Sequence, residues 1–530
     1  IGTFRPGGIQ ADAPITGAEV HDELAQGTAV IGGPISSNAH FLISGEYSNQ
    51  NRDSEVTSPL APQVVTGDYH QSLFLAKADY QINNANTLTG RFNLERFSDS
   101  NPQDVVGGTT LPSAGRVFRR NTYIGQVSDT TLFSESLFNE ARFSVQYGSP
   151  ITQFDPVNFS TQLVRPGVST EGESRSALLH NHQFQFANTL SWSRGSHFLK
   201  FGGDVVHSSS GGNSKEFGGP FVLGQFTFNP AIPASVPTSA LTINDVTRYT
   251  QGFGNFDYEN SEELYSIFAQ DDFHIRENLV LNLGVRYDRQ TFTDDSNNLA
   301  PRLGFAYNPG SDQRTVIRGG YGIYYSEIPA NFQADYSLGG PNGFFSFTAS
   351  PGQLGFPTDL NPLPEFPPGA VLPPRNINVR PGDPGFYNQF FDVTALLNYP
   401  DKLLNPRTDM ITLGGERQFG EWFLSVDGVH SHSQDIPWNL DLNAPGSFDR
   451  TDAGQVRSGT VADTTRPIIP VANGYRQIIV TTSLGEAKYD ALQVNLRRPI
   501  GSKANMLLSY TWSHSRNNTE PDAPGGAPMD

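Results

Sequence analysis

Apolar and polar side chains alternate along much of this chain, and the segment LVLNLGVRYDRQTF at residues 279–292 shows the pattern clearly. Successive side chains of a β-strand point to opposite faces, so such a segment is apolar on one face and largely polar on the other. The apolar positions are Leu279, Leu281, Leu283, Val285 and Tyr287, and the alternate positions are Val280, Asn282, Gly284, Arg286 and Asp288. The pattern predicts an amphipathic strand.

Alternation bounded by turn residues predicts about sixteen strands in the whole chain. They lie at residues 27–33, 38–48, 70–80, 87–97, 119–133, 136–148, 182–193, 197–208, 262–273, 279–291, 300–308, 314–326, 408–418, 422–432, 488–498 and 503–515. Any one of these strands would also suit a half-buried position in a soluble β-sandwich. The prediction of a particular fold therefore depends on their number and on the connections between them.

Short and long connections alternate along the chain. The short ones are residues 81–86, 194–196, 274–278, 309–313, 419–421 and 499–502, and the long polar ones are 49–69, 98–118, 149–181, 209–261, 327–407 and 433–487, with a brief connection at 292–299. This order is typical of an all-β, transmembrane, antiparallel up-and-down β-barrel with short periplasmic turns and long extracellular loops. The apolar strand faces would then meet outer-membrane lipid, and the polar faces would line a lumen.

Composition agrees with this prediction and excludes several classes. Hydrophobic residues are 36% of the 530 residues, and there are 53 glycines and 38 prolines, as expected for strands joined by many turns. No run of eighteen apolar residues is present, which excludes a transmembrane helix. A net charge of -18 argues against a nucleic-acid partner, and the absence of cysteine excludes disulfides and thiolate metal sites.

Four segments resemble the barrel of TonB-dependent outer-membrane receptors of Gram-negative bacteria, and the resemblance is nearest to the Oar-like group common in acidobacteria and myxobacteria. They are residues 27–48, 268–288, 301–327 and 489–515, including FAQDDFHIRENLVLNLGVRYD and YDALQVNLRRPIGSKANMLLSYTWSHS. The resemblance implies a barrel of twenty-two strands around an N-terminal plug. It also implies energy supplied through the TonB-ExbB-ExbD complex and an extracellular small-molecule, oligosaccharide or peptide substrate.

The domain prediction follows from this resemblance. Residues 27–515 are assigned to a partial receptor barrel of about sixteen strands, 1–26 to an unassigned N-terminal segment and 516–530 to a polar loop. Neither a plug nor a TonB box is recognisable before residue 27. Both ends of a sixteen-strand set would lie outside the cell, so we expect the chain to be a window of a larger barrel.

Candidate functional residues lie on the predicted lumen face. They are Gln270, Asp272, Asn282, Arg286, Asp288, Arg302 and Arg318. We expect most of them to pair with one another or with a plug, and the rest to contact a passing substrate. The long loop 327–407, which contains the proline-rich segment 361–386, is too long to be a mere connection. Its aromatic side chains could stack on sugars or close over a ligand, or the loop could act as a disordered tether.

Other polar motifs predict no chemistry. His430 and His432 share a strand face at a spacing that suits a metal, but they stand at the start of a predicted loop with Asp435. The acidic segment 293–298 lacks the glycine and closing glutamate of an EF-hand, which favours an exposed turn. No G-x-S-x-G elbow is present. We therefore expect no enzyme activity, no catalytic or metal site and no cofactor.

The sequence predicts a receptor that resides in the cell outer membrane, binds an extracellular nutrient and imports it to the periplasm. A passive outer-membrane porin is the first alternative, since the strand count suits it. A secreted soluble β-rich surface protein or adhesin is the second. In that case, the Leu and Val residues of 279–285 would have to pack inside a compact core.

Overall fold

The computed structural model describes residues 2–5, 12–20, 22–100, 105–148, 153–215, 221–293, 295–310, 314–339, 343–368, 394–398, 403–441, 444–447, 461–462, 464–467, 477–501 and 504–518. Most of the described chain is β-strand. Among the described residues, the helix α1 spans Ala330–Gly339, and short 3₁₀ helices span Pro112–Ala114, Thr238–Ala240 and Ile243–Asp245. None of the helices in these ranges is long and apolar enough to cross a membrane.

Seventeen strands form one large antiparallel sheet, which we call the wall. In spatial order they are β1 (Gly2–Arg5), β2 (Glu23–Ser36), β3 (Ala39–Val56), β4 (Gln63–Asn83), β5 (Asn86–Ser100), β6 (Arg116–Ser134), β7 (Leu137–Gly148), β11 (Ala177–Arg194), β12 (His197–Ser214), β15 (Asp257–Arg276), β16 (Leu279–Gln290), β17 (Asn298–Tyr307), β18 (Thr315–Tyr325), β21 (Arg407–Phe419), β22 (Trp422–Asp441), β23 (Gln477–Ile500) and β24 (Ala504–Asn517). No pairing between described strands joins β24 to β1 or β2, so hydrogen bonds do not close the sheet.

Two further strands extend the wall. The strand β8 (Gln153–Pro156) pairs with β6 and β11 beyond the end of β7, and β20 (Thr394–Asn398) runs parallel to β23. All sixteen predicted strands are present in the wall, and β1 adds a seventeenth within the segment that the sequence left unassigned. The all-β, up-and-down architecture is confirmed.

The strands are longer than the alternation predicted. The predicted loop 49–69 shrinks to residues 57–62, because β3 continues to Val56 and β4 begins at Gln63. Similarly, β22 continues to Asp441, so His430 and His432 lie within a strand and not at the start of a loop. Backbone pairing continues where the side chains have become polar on both faces, so alternation of hydrophobicity marks only the middle of these strands.

The two faces of the wall differ in what covers them. Helix α1 packs against one face of β15, where Ser337 Oγ donates a hydrogen bond of 2.8 Å to Asn260 Oδ1. We call this the inner face, and strand alternation puts Gln270 and Asp272 on it. The opposite, outer face leaves Leu283 and Val285 40% and 42% exposed. These side chains are therefore not sandwiched in a compact core, as the soluble-protein alternative required.

Three long connections build a second sheet, which we call the loop sheet. Its strands are β9 (Gln162–Arg165), β10 (Ser169–Glu171), β13 (Gln225–Phe228), β14 (Val246–Gly254) and β19 (Phe344–Ala349). They pair in the order β10, β9, β13, β14, β19, with β9 and β13 parallel. The sequence predicted loops at these positions, and that prediction was wrong.

The loop sheet has its own hydrophobic core. Phe226, Phe228 and Tyr249 are fully buried, and Leu241 and Val246 complete the cluster. A second cluster attaches the loop sheet to the inner face of the wall, because Phe344 and Leu338 pack against Leu179 and Tyr258. The loop sheet is therefore a folded body fixed to the wall at the long-loop ends of β11 and β15.

The described part of the long loop 327–407 belongs to this body. Phe347 and Phe366 meet edge to face with ring centroids 5.6 Å apart, and both contact Phe253. Leu360 and Leu363 pack against the core of the loop sheet. The interpretation as a disordered tether is wrong for residues 343–368, and residues 369–393 of the proline-rich segment lie outside the described residues.

Candidate functional site

Strand register aligns two rows of inner-face residues across β15, β16, β17, β18 and β21. The first row is Gln270, Gly284, Arg302, Gly322 and Met410, and the second is Asp272, Asn282, Gly304, Gly320 and Thr412. Glycine occupies four of these positions, so little side chain covers the wall there. The result is a pocket of about 300 Å³, which we call the wall pocket.

An arginine stacked on a tyrosine borders the wall pocket. The guanidinium carbon of Arg302 lies 4.5 Å from the ring centroid of Tyr324. The tyrosine ring lies over Gly322, where a Cβ atom would come within 2.9 Å of Tyr324 Cε2. Glycine at 322 therefore allows the ring to lie along the wall and to support the arginine from one side.

The charge of Arg302 is available to a ligand. Arg302 makes no ion pair with any residue in the described ranges, and its guanidinium stacks on the ring of Tyr324. In the second row, Asn282 Nδ2 donates a 2.7 Å hydrogen bond to Asp272 Oδ1. The wall pocket thus offers hydrogen-bond donors from Arg302 and acceptors from Asp272, with an amide at Gln270.

The remaining predicted residues form ion pairs elsewhere on the inner face. Arg286 Nε lies 2.8 Å from Asp288 Oδ1, and its Nη2 lies 3.6 Å from Asp204 Oδ1. Arg318 lies 2.9 Å from Asp427 and 3.3 Å from Glu416. Sequence analysis expected such pairs but could not name the partners on other strands. Tyr324, Gly320 and Gly322 were not among the predicted site residues, although the alternation along β18 places them on the same face as Arg318.

The two histidines with metal-like spacing lie on the outer face. His430 Nδ1 lies 2.7 Å from Asp490 Oδ1, and His432 Nε2 lies 2.6 Å from Glu486 Oε1. Each ring thus has its own carboxylate on β23. No group of three or more potential ligands that could hold a metal is found among the described residues.

The acidic segment 293–298 is only in part the exposed turn that was predicted, because Ser296 and Asn297 are the exposed residues among those described there. Thr293, Asp295 and Asn298 are buried, and Asp295 Oδ2 accepts the backbone N–H of Asn405 at 3.1 Å. The Asn405 side chain in turn donates to Gln290 Oε1 at 2.8 Å. These contacts join the connection before β17 to the one before β21. The prediction failed for the buried residues because the burying partner lies more than a hundred residues away.

A buried carboxylate holds the loop sheet to the wall. Glu173 accepts hydrogen bonds from Arg116 Nε at 3.1 Å and from Arg175 Nε at 3.0 Å. Burial alone would raise the pKa of Glu173, but the hydrogen bonds and charge of Arg175, together with Arg116, hold it below its usual value. Glu173 is therefore ionised and paired at neutral pH.

A buried tyrosine, Tyr249, lies inside the loop sheet. Burial raises the pKa of Tyr249 to about 12. Its hydroxyl donates to Gln251 Oε1 and accepts the backbone N–H of Leu363 at 3.1 Å. These bonds fasten the segment around Leu363 to β14.

A wall of this size, apolar outside and polar inside, defines an outer-membrane β-barrel protein. The sequence model of the family described as outer membrane beta barrel domain matches residues 47–298 and 288–529. The chain belongs to this family and is an outer-membrane protein. No curated protein matches the chain.

Solved structures share the fold at low sequence identity. The outer membrane transporter YddB from Escherichia coli is 13% identical with a TM-score of 0.63, over 94% of this chain and 55% of that one. The ferric enterobactin receptor PfeA from Pseudomonas aeruginosa is 12% identical with a TM-score of 0.57, over 97% and 61%. The siderophore receptor PirA from Acinetobacter baumannii is 10% identical with a TM-score of 0.55, over 97% and 61%. The chain thus spans about three fifths of these proteins.

Proposed function

We propose that this chain is the barrel portion of a TonB-dependent, Oar-like outer-membrane receptor that binds an extracellular nutrient and imports it to the periplasm. The wall pocket is the observation that carries the proposal, because it combines polar neighbours on a glycine floor with an arginine that has no ion pair among the described residues. In this proposal the inner face lines the lumen, and a substrate contacts Gln270, Asp272 and Arg302 on its way through.

The presence of the loop sheet favours assignment as a receptor over assignment as a passive porin. Its folded core is attached to the inner side of the wall at the long-loop ends of the strands. A rigid body in that position offers a preformed surface to an extracellular ligand, since loops held by a scaffold lose little entropy on binding. The low-identity likeness to siderophore receptors is consistent with this role, and the cargo class stays a small molecule, an oligosaccharide or a peptide.

Energy dependence tests the proposal. The full-length protein would be expressed in the outer membrane of a strain lacking its own receptors, and uptake of radiolabelled ferric enterobactin, cobalamin and malto-oligosaccharides would be measured. We expect at least one probe to enter only when TonB and the proton gradient are present. If every probe that enters does so equally without TonB and after addition of a protonophore, the protein is a passive porin and the proposal is contradicted.

The Arg302→Ala variant tests the wall pocket itself. A lost charge-assisted contact weakens binding by about tenfold, so we expect the half-saturation concentration of the imported probe to rise by that factor. Arg417→Ala is the control, because Arg417 also stacks on a ring, that of Phe419 at 5.1 Å, but lies on the outer face near a short turn. Equal effects of both variants would assign the arginine a structural role only.

A further inference from the structure

The outer face carries an apolar groove of about 620 Å³ across β3 to β7. Strand register places two rows of side chains in it, Ile43, Ala76, Phe92, Gly125 and Val145, then Phe41, Ala78, Gly90, Val127 and Phe143. Alanine and glycine form the floor, while larger apolar side chains form the borders. A Cβ atom added at Gly90 or Gly125 would meet nothing within 4 Å, so the floor is open.

The long-loop end of this groove changes abruptly to polar residues. One apolar row, with Phe74, Leu94 and Tyr123, is followed by the row Tyr47, Ser72, Arg96 and Asn121. We call this second row the polar shelf. His70 lies one row further, with Nδ1 3.3 Å from the Tyr47 hydroxyl. The polar shelf therefore marks the level at which the outer face leaves hydrocarbon.

Arg96 is the cation of the polar shelf. It is exposed on the outer face, and its Nη2 donates to the Tyr123 hydroxyl at 3.4 Å. It makes no ion pair with any residue in the part of the chain that the structure describes. Arg96 lies four residues beyond Phe92 on β5, about 13 Å along the strand, which is comparable to the length of an acyl chain. An arginine with unused donors thus lies on the outer face two rows beyond the apolar groove, toward the long-loop end.

We propose that the groove and the polar shelf together bind a phosphorylated glycolipid of the outer leaflet. Its phosphate would accept hydrogen bonds from Arg96, whose planar guanidinium suits two phosphate oxygens, and one acyl chain would lie over Gly90 and Gly125. Van der Waals contact with the bordering side chains holds the chain in place. The site belongs to the outer leaflet because the polar shelf lies at the long-loop end of the wall.

Lipid binding to the full-length protein tests this site. The purified protein would be titrated in detergent with lipid A, with phosphatidylglycerol and with phosphatidylethanolamine, and bound lipid would be counted by native mass spectrometry. We expect lipid A to bind most tightly, and Arg96→Ala to reduce the bound fraction about tenfold at a fixed concentration. We expect Gly125→Leu to reduce lipid A binding similarly, because a Cβ atom there meets nothing within 4 Å and the rest of the leucine side chain would occupy the groove.

Gly428→Leu is the control for groove filling. Gly428 lies on the outer face of β22, far from the groove, and a Cβ atom there meets only Leu413 O at 3.6 Å. This variant should bind lipid A as the wild type does. Equal binding by wild type, Arg96→Ala and Gly125→Leu would overturn the proposal in favour of nonspecific annular lipid. Equal binding of lipid A and phosphatidylglycerol would overturn the assignment to the outer leaflet. If lipid A binding falls in Arg96→Ala but not in Gly125→Leu, the groove does not bind the acyl chain.

Discussion

The wall and the loop sheet are two β-structures in one chain that are stabilised in different ways. Strands β2 to β24 of the wall mostly run for ten residues or more and pair with a neighbour close in sequence. The loop sheet has strands of three to nine residues taken from three distant connections. Thr250 and Thr348 meet across 98 positions in it. The wall exposes its apolar side chains, whereas the loop sheet must bury its own.

Strands that face lipid and strands that face water therefore require different sequence patterns. Lipid accepts the apolar face of each strand separately, so every strand must carry its own alternation. A small sheet in water is stable only when it has a core, and its aromatic side chains can come from anywhere in the chain. Breaking the core should therefore affect the loop sheet and leave the wall intact.

Phe226→Ala should have the largest effect. Removing a fully buried phenylalanine lowers the free energy of opening of the loop sheet by about 3–5 kcal/mol. The chain has no cysteine, so a cysteine introduced at buried Ala349 of β19 reports opening by its rate of thiol labelling. Phe186→Ala, on the exposed outer face of β11, is the control and should leave the labelling rate unchanged. Similar rates in both variants would contradict an independent core.

Glu173→Gln should have the next largest effect. It leaves Arg116 and Arg175 without their carboxylate, which costs about 3 kcal/mol at a buried site. Because the pKa of Glu173 is lowered in the folded state, its contribution is present above the ordinary glutamate pKa and is lost as pH falls through the lowered value. Labelling at position 349 should therefore accelerate in acid in the wild type. An acid step of the same size in Glu173→Gln would refute this assignment.

Leu303→Arg tests the outer face of the wall. Leu303 is 55% exposed on β17, and an arginine facing the middle of the bilayer costs about 2–4 kcal/mol. Thr412→Arg, on the inner face, should cost less than about 1 kcal/mol, because it points to a polar lumen. Urea titrations of folding into lipid vesicles would compare the two variants. Equal costs would mean that the two faces do not differ in their surroundings.

Raising the pH from 10 to 11 should have the smallest effect and should act on the loop sheet. The pKa of Tyr249 is about 12 in the folded protein, above the ordinary value of 10, so stability is kept below pH 10. It is lost by about 1.4 kcal/mol per pH unit between pH 10 and 12. Thiol labelling at position 349 should accelerate over this range. Tyr249→Phe should abolish the acceleration, and an unchanged profile would assign it to another group.

The wall could be predicted from the sequence, but only part of the wall pocket could. Gln270, Asp272, Asn282 and Arg302 were singled out by parity alone, and register brings all four to one pocket. Tyr324 was not, because its position over Gly322 depends on the ring turning back along the wall. The partners Asp204 and Asp427 could not be named, since each ion pair crosses a long connection, and only short turns fix the register of the strands that they join.

The pattern of the sequence alone predicts sixteen of the seventeen wall strands, their two faces and the alternation of short and long connections. These features follow from the alternation of apolar and polar residues with a period of two. Each strand has its own alternation because each strand faces lipid separately. The loop sheet, the buried connection at Asp295 and Asn405, and the outer-face groove are visible only in the three-dimensional structure. Each of these features depends on contacts between residues that are distant in sequence, and a local sequence pattern does not predict such contacts.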